Sequence, residues 1–228
     1  VIGETDLALW LPLGIWDSAL AKSLGDILIA GRASLLQYIR DHPDFAATHR
    51  PWPLTGPAPA IVRQMSRAAA VAAVGPMAAV AGAFAALAGR FLLQRCGQVI
   101  VENGGDIFLA GAKDRVIGVY AGAASPFTGN LGVKLRADQL PCGVCTSSGT
   151  VGPSFSYGVA DAALIVAPDA ALADAAATAA GNLVKGPEDV AAACHFALTI
   201  PGVTAALIIC GEQLAAAGQL ELVRVEQG

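Results

Sequence analysis

Between Arg67 and Arg90 the chain runs for 22 residues without a charged side chain, and most of them are Ala, Gly or Val. A run of that length has to be buried, either in a bilayer or in a protein core. Its composition favours the core. Ala adds little to membrane insertion, Gly75-Pro76 interrupts the run, and Phe84 is its only aromatic residue. The stretch therefore reads as parts of two buried helices, over 61–73 and 76–93, broken at Gly75-Pro76. Pro76 fits the first turn of the second helix, where its missing N–H costs nothing.

The rest of the composition agrees with a packed core. Of 228 residues, 55% are hydrophobic and 14% charged, which excludes intrinsic disorder. Ala makes up about a fifth of the chain, so the core is built from small side chains that let backbones approach closely. The net charge is −4 with no basic run, which removes the electrostatic footprint of a nucleic-acid binder. A phosphate would have to be held locally, by backbone N–H groups or a metal. Five Cys at scattered positions (Cys96, Cys142, Cys145, Cys194, Cys210) do not form a disulfide framework. With no visible signal peptide, a reducing cytoplasm is the expected location. Cys142 and Cys145 have CxxC spacing, but His42, His49 and His195 are isolated and supply no zinc partners. A redox CxxC usually opens a helix, whereas Thr-Ser-Ser-Gly follows here.

Periodicity predicts a strand over 4–11, a helix over 16–38 and a proline-rich loop over 42–59. Short β-type runs follow the two Ala-rich helices, over 98–102, 107–110, 116–121 and 131–135. A strand over 162–166, helices over 170–180 and 188–198, and closing strands over 205–210 and 220–225 complete the reading. The order is α+β, not the strict alternation of a doubly wound sheet.

Three segments could carry chemistry. In Val101-Glu102-Asn103-Gly104-Gly105-Asp106-Ile107, Asn-Gly between apolar runs signals a hairpin. The paired glycines also let backbone approach a ligand, with Glu102 and Asp106 beside them, so turn and site both stay open. The run Thr146-Ser147-Ser148-Gly149-Thr150 is either a polar connection or a set of N–H and hydroxyl donors for a phosphate. It is not a Walker loop, since Gly-Lys-Ser/Thr is absent. Asp174 and Thr178 lie four apart on one helix face and are the only polar side chains between Asp169 and Asn182. A carboxylate and a hydroxyl so placed suit a hard cation such as Mg²⁺. The alternative is a half-exposed helix carrying two incidental polar residues.

These residues resemble signature motifs of the ApbE superfamily, the FAD:protein FMN transferases first described as thiamine-biosynthesis lipoproteins. The likeness is closer to an ApbE-like family of bacteria and archaea. That family's pattern is matched by Glu4-Thr5-Asp6-Leu7, VGPMAAVAG at 74–82, VENGGDI at 101–107, CTSSGTVG at 145–152 and ADAAAT-x-x-x-N at 173–182. The blocks follow the family order and cover most of the chain.

The resemblance implies a T-fold-related α+β architecture of mixed sheets packed with Ala-rich helices. It would span 1–228 as one ApbE-like domain or as two intertwined α+β subdomains. It also implies FAD or FMN in a cleft, near Asn103, Gly104, Gly105, Asp106, Thr146, Ser147, Ser148, Gly149 and Thr150. Mg²⁺ would be held by Asp174, Thr178 and the carbonyl of Ala78. The expected partner is a small-molecule nucleotide, with no nucleic acid and no membrane; homo-oligomerisation stays open. The transferases' His-x-x-Asp-Pro segment has no match, since PSFSYGVADA stands at 153–162. Pro153 replaces a His of the closer family, and Ala79 stands where transferases carry Lys. Transfer of FMN to a protein hydroxyl is therefore expected to be absent or very weak. Two other readings remain. One is an enzyme of sulfur assimilation toward homocysteine, to which the closer family is linked, with Cys142 or Cys145 as thiol carrier. The other is a non-catalytic interaction protein that kept the fold.

Overall fold

The computed structural model describes residues 1–151 and 156–225, so the expectations placed on Gly152 and Pro153 lie outside the described residues. In chain order the strands are β1 (Leu7–Trp10), β2 (Val99–Asn103), β3 (Asp106–Ala110), β4 (Arg115–Gly118) and β5 (Leu131–Leu135). They continue with β6 (Cys142–Ser147), β7 (Ala162–Ala167), β8 (Ala205–Cys210), β9 (Gln213–Gly218) and β10 (Glu221–Arg224). The helices are α1 (Ser18–Asp41), α2 (Asp44–Ala47), α3 (Ala60–Ala72), α4 (Val80–Leu93), α5 (Ala170–Gly181) and α6 (Val190–Thr199). Seven strands form one sheet in the order β1-β2-β3-β6-β7-β8-β9, and β10-β5-β4 form a second. Every pairing in both sheets is antiparallel.

The large sheet is covered on both faces, and strand alternation divides its side chains between two cores. Phe108, Cys145, Ala163, Ile165, Ala167, Ala206 and Ile208 join the core shared with the helices. Leu109, Val144, Leu164, Val166, Leu207 and Ile209 join the core shared with the small sheet. This double burial is why β7 and β8 read as unbroken apolar runs without the alternation of a half-solvated strand. Ala and Cys are common on the helix-facing side, which lets α5 lie close to the strands.

The charge-free run behaves as read. Helix α3 stops at Ala73, which takes a left-handed φ of 57°, and a 3₁₀ turn over Pro76–Ala79 leads into α4. Pro76–Leu93 is long and apolar enough to cross a membrane by length and composition, yet over half of it is buried within the fold, against α5, β2 and β3. Helix α1 packs outside this layer through Leu20, Leu24, Leu28 and Leu35, and Asp17 caps it by accepting from Leu20 N at 2.7 Å.

Three elements differ from expectation. The 42–59 stretch holds the short helix α2, because Phe45 inserts fully into the core edge-on to Tyr38 and Trp52. Residues 142–147, read as a CxxC and the start of a hydroxyl-rich connection, form the central strand β6. Strand β9, with the weak β-formers Gln-Leu-Ala-Ala-Ala-Gly, pairs with β8 through a turn at Gly211. Hairpin geometry overrides propensity there.

Backbone meets backbone between the layers at Gly143, where an added Cβ would sit 2.2 Å from Ala170 Cα. Gly143→Ala should destabilise the fold by about 1–3 kcal/mol, lowering Tm by roughly 2–10 °C in thermal denaturation. Gly97→Ala, with open space around it, should leave Tm nearly unchanged.

Candidate functional site

A cavity of about 800 Å³ opens at the end of the large sheet, between the sheets and the helical layer. Its apolar walls include Ile107, Val144 and Leu164 of the large sheet and Val116, Ile117 and Val119 of the β4 segment. Its polar lining carries Glu102, Asp106, Thr146, Ser147, Ser148, Asp174 and Thr178, with Glu102 and Thr146 standing as cross-strand partners of Ile107 and Leu164. Such a slot matches a ligand that joins a flat apolar ring to an oxygen-rich group.

The polar lining is assembled from three separated segments. The β2–β3 hairpin turns through Gly104 and Gly105 at φ values of 63° and 98°, the pair of positive angles a tight two-residue turn requires. Turn and site are thus the same object: the hairpin delivers Asp106 to the cavity. Asn103 donates from Nδ2 to Ala81 O at 3.1 Å, tying the hairpin to the first turn of α4. Asp174 accepts at Oδ2 from Gly82 N at 2.9 Å, so α5 caps a helix whose own N-cap residue, Ala79, offers no side chain for the purpose. Gly82 permits this contact, because a Cβ there would lie 2.3 Å from Ala170 O and 2.8 Å from Asp174 Cβ. Helix α5 is also not half-exposed, since nine of its twelve residues are buried. Asp174 and Thr178 are its polar face toward the cavity.

Electrostatics sets this lining apart. Burial raises the Asp106 carboxyl from 3.8 to about 7, with the charge of Glu102 adding to the rise; the Cys145 thiol and the Thr146 N–H oppose it. Asp106 Oδ1 has no hydrogen-bond partner among the described residues. Burial, then the negative charge of Asp106, pushes Asp174 well above the usual carboxylate range, against the donors Gly82 and Ala81. Among the described residues, neither Lys nor Arg lines the cavity. Two buried carboxyl groups held above their ordinary range, one of them with an orphaned oxygen, fit a cation site. Among the described residues no group of three His, Cys, Asp or Glu side chains forms a metal cage. A cation there would depend on hydroxyl, carbonyl, water and ligand oxygens, the donor set of a hard divalent ion.

Of the residues singled out from sequence, Ala78, Gly104, Gly105, Asp106, Thr146, Ser147, Ser148, Asp174 and Thr178 line the cavity. Asn103, Gly149 and Thr150 brace it from behind. Gly149 N donates to Ala160 O at 2.8 Å, and Thr150 Oγ1 donates to Asp161 Oδ1 at 2.7 Å. Ser148 Oγ folds this loop by accepting from Thr150 N and Val151 N. Sequence reasoning missed His49, Trp10, Tyr157 and the β4 wall. Only the arrival of a proline-rich loop at the Pro76–Ala79 turn brings His49 there, and nothing in its local sequence signals that.

The cysteine readings do not survive the geometry. Residues 142 and 145 are an odd number apart on one strand, so Cys142 packs toward the small sheet and Cys145 toward the helices. They cannot act as a dithiol or grip one zinc ion. Burial also raises the Cys142 thiol to about 12 and the Cys145 thiol well above its usual range, which removes the thiolate a carrier needs.

A sequence model of the family described as AbpE bacteria matches residues 1–216. The chain belongs to this family. It is 43% identical over 196 residues to a UPF0280 protein of Methanocella arvoryzae, covering 86% of this chain and 79% of that one. It is 42% identical over 213 residues to a UPF0280 protein of Methanosarcina acetivorans, covering 92% and 83%. Among solved structures, the flavin transferase ApbE from Vibrio cholerae superposes with a TM-score of 0.57 at 11% identity, over 94% of this chain and 97% of that one. The apo form of Pseudomonas stutzeri flavinyl transferase ApbE gives 0.54 at 13% identity, over 94% of each chain. This AbpE-family chain thus has the α+β fold of the ApbE flavin transferases.

Asp106 has a folded pKa above its ordinary value. Its contribution to stability is full below about pH 4 and is lost as pH rises through about 7. In the metal-free protein, the Tm of Asp106→Asn minus that of the parent should therefore grow between pH ~5 and pH ~8. A difference that stays flat would show that Asp106 ionises freely in the fold.

Proposed function

We propose that the cavity binds a flavin nucleotide, FAD or FMN, together with Mg²⁺. The observation that carries this reading is the convergence of three distant segments on one slot, with an orphaned, buried Asp106 oxygen in its polar lining. The names of the structural neighbours, flavin transferases, support the choice of ligand class. In this reading Asp174, Thr178 and the Ala78 carbonyl hold the cation, and Thr146, Ser147, Ser148 and the Gly104-Gly105 backbone receive the phosphate oxygens. The apolar slot takes the ring. Bound Mg²⁺ would neutralise phosphate charge in a site whose own walls are acidic. The chain's groups orient the ligand and exclude water from its apolar part.

Binding does not entail transfer. The His-x-x-Asp-Pro segment of the transferases has no match in this sequence, and Ala79 stands in place of their Lys. Loss of a positioned acid, base or electrostatic group typically costs on the order of 10²–10⁴ in rate.

Two outcomes test the reading. Titration with FAD, followed by flavin fluorescence, should show saturable binding with Mg²⁺ that weakens by at least ~10-fold when Mg²⁺ is chelated or in Asp174→Asn. The Asn side chain retains an acceptor for Gly82 N, so the variant should stay folded. Incubation with FAD, Mg²⁺ and a flavinylation-competent acceptor protein should leave little or no covalent flavin by in-gel fluorescence. Strong labelling that vanishes in Asp174→Ala would make the chain a transferase.

A further inference from the structure

We infer that His49 joins the hydroxyl side chains in meeting the ligand's phosphate, as the group there that can carry positive charge, with Tyr157 holding its ring in place; this rests on the nucleotide reading above. The described lining residues include three carboxylates, Glu102, Asp106 and Asp174, and neither Lys nor Arg. His49 is the one lining side chain among them that can carry positive charge. A phosphate brought among those carboxyl groups can take hydrogen bonds from the hydroxyls and backbone N–H groups, but among the described lining residues the imidazole is the side chain able to bring a positive charge to it as well.

The fold fixes His49 in the cavity wall next to the turn that carries Ala78. Gly75, directly before the 3₁₀ turn that carries Ala78, is packed so tightly that a Cβ would lie 2.0 Å from Thr48 O and 2.9 Å from His49 Cα. Thr48 Oγ1 bonds to both the N–H and the carbonyl of Arg50, closing the backbone around His49. The imidazole meets the Tyr157 ring edge-on, with centroids 5.3 Å apart and planes at 74°. Tyr157 is anchored in turn at the far end of α5. Its N–H donates to Asn182 Oδ1 at 2.9 Å, and a Cβ on neighbouring Gly158 would lie 1.9 Å from Gly181 O. The ring pair therefore bridges the turn bearing Ala78 and the helix bearing Thr178. It places the imidazole beside the elements that would hold the cation.

The test is calorimetric titration of the full chain with FAD and with riboflavin, which has the ring but no phosphate, both with Mg²⁺. His49→Ala should weaken FAD binding about 10- to 100-fold, the range for a lost charge-assisted hydrogen bond, and riboflavin binding at least ~5-fold less than that. His49→Gln, which keeps a donor but no charge, should lose about 5-fold or more toward FAD and serves if the Ala variant does not fold. Tyr157→Ala should weaken FAD in the same sense. FAD affinity within about twofold of the parent in a folded His49 variant would overturn the inference while leaving the flavin reading intact. An equal loss for riboflavin would overturn it too, by making His49 a ring contact. If the parent binds neither ligand, the flavin reading fails and the inference falls with it.

Discussion

Helix α5 lies against strand β6 with no side chain between them at Gly143, and the same helix meets α4 with none between them at Gly82. Ala170, at the start of α5, is the shared neighbour in both contacts. Everything in the polar lining of the cavity depends on this double approach. It brings Asp174 close enough to take the Gly82 N–H, and it buries Asp174 in the same pocket as Asp106 and Cys145. A side chain one methyl larger at either glycine would push α5 outward and separate the two carboxyl groups. The abundance of Ala is thus more than a way of filling a core, since it lets three backbones meet beside the two buried carboxyl groups.

The same closeness carries a cost. Burial holds both carboxyl groups above their ordinary range, and the charge of Asp106 adds to the rise at Asp174, so the metal-free fold is least comfortable where both would ionise. A core selected for stability alone would place apolar or neutral groups at 106 and 174. Their presence is best understood as strain held by an otherwise well-packed fold, which a bound cation would relieve. The short hydroxyl side chains nearby add oxygen donors without adding charge, and this would leave the balance to the proposed ion and its ligand.

Much of this architecture was legible in the sequence, for identifiable reasons. The break at Gly75-Pro76, the Asn-Gly hairpin and the helix bearing Asp174 and Thr178 each follow from local rules of φ, capping and spacing. Strand β6 was not legible, because Cys-Gly-Val-Cys-Thr-Ser carries small residues chosen for contact with α5 and not for strand propensity. His49 was not legible either, since its place depends on how a proline-rich loop meets Gly75 from 26 positions away. Glu102, Asp106 and the hydroxyl run could be named from sequence, but the absence of any Lys or Arg among the described lining residues emerges only when the segments are brought together.

The cysteines show how strand geometry can settle a question of chemistry. CxxC spacing suggests cooperation between thiols only where the backbone turns, as at the start of a helix, and brings both to one side. On an extended strand the side chains alternate, and two residues three apart point to opposite faces. In β6 that alternation puts Cys142 under the small sheet and Cys145 under α5, each sealed from solvent by a different core. The strand therefore uses its cysteines as small apolar residues that fit tight packing on both sides. Their burial leaves the thiol-carrier reading with no reactive group at either position. The oxygen-rich lining of the cavity is where this chain concentrates its chemistry.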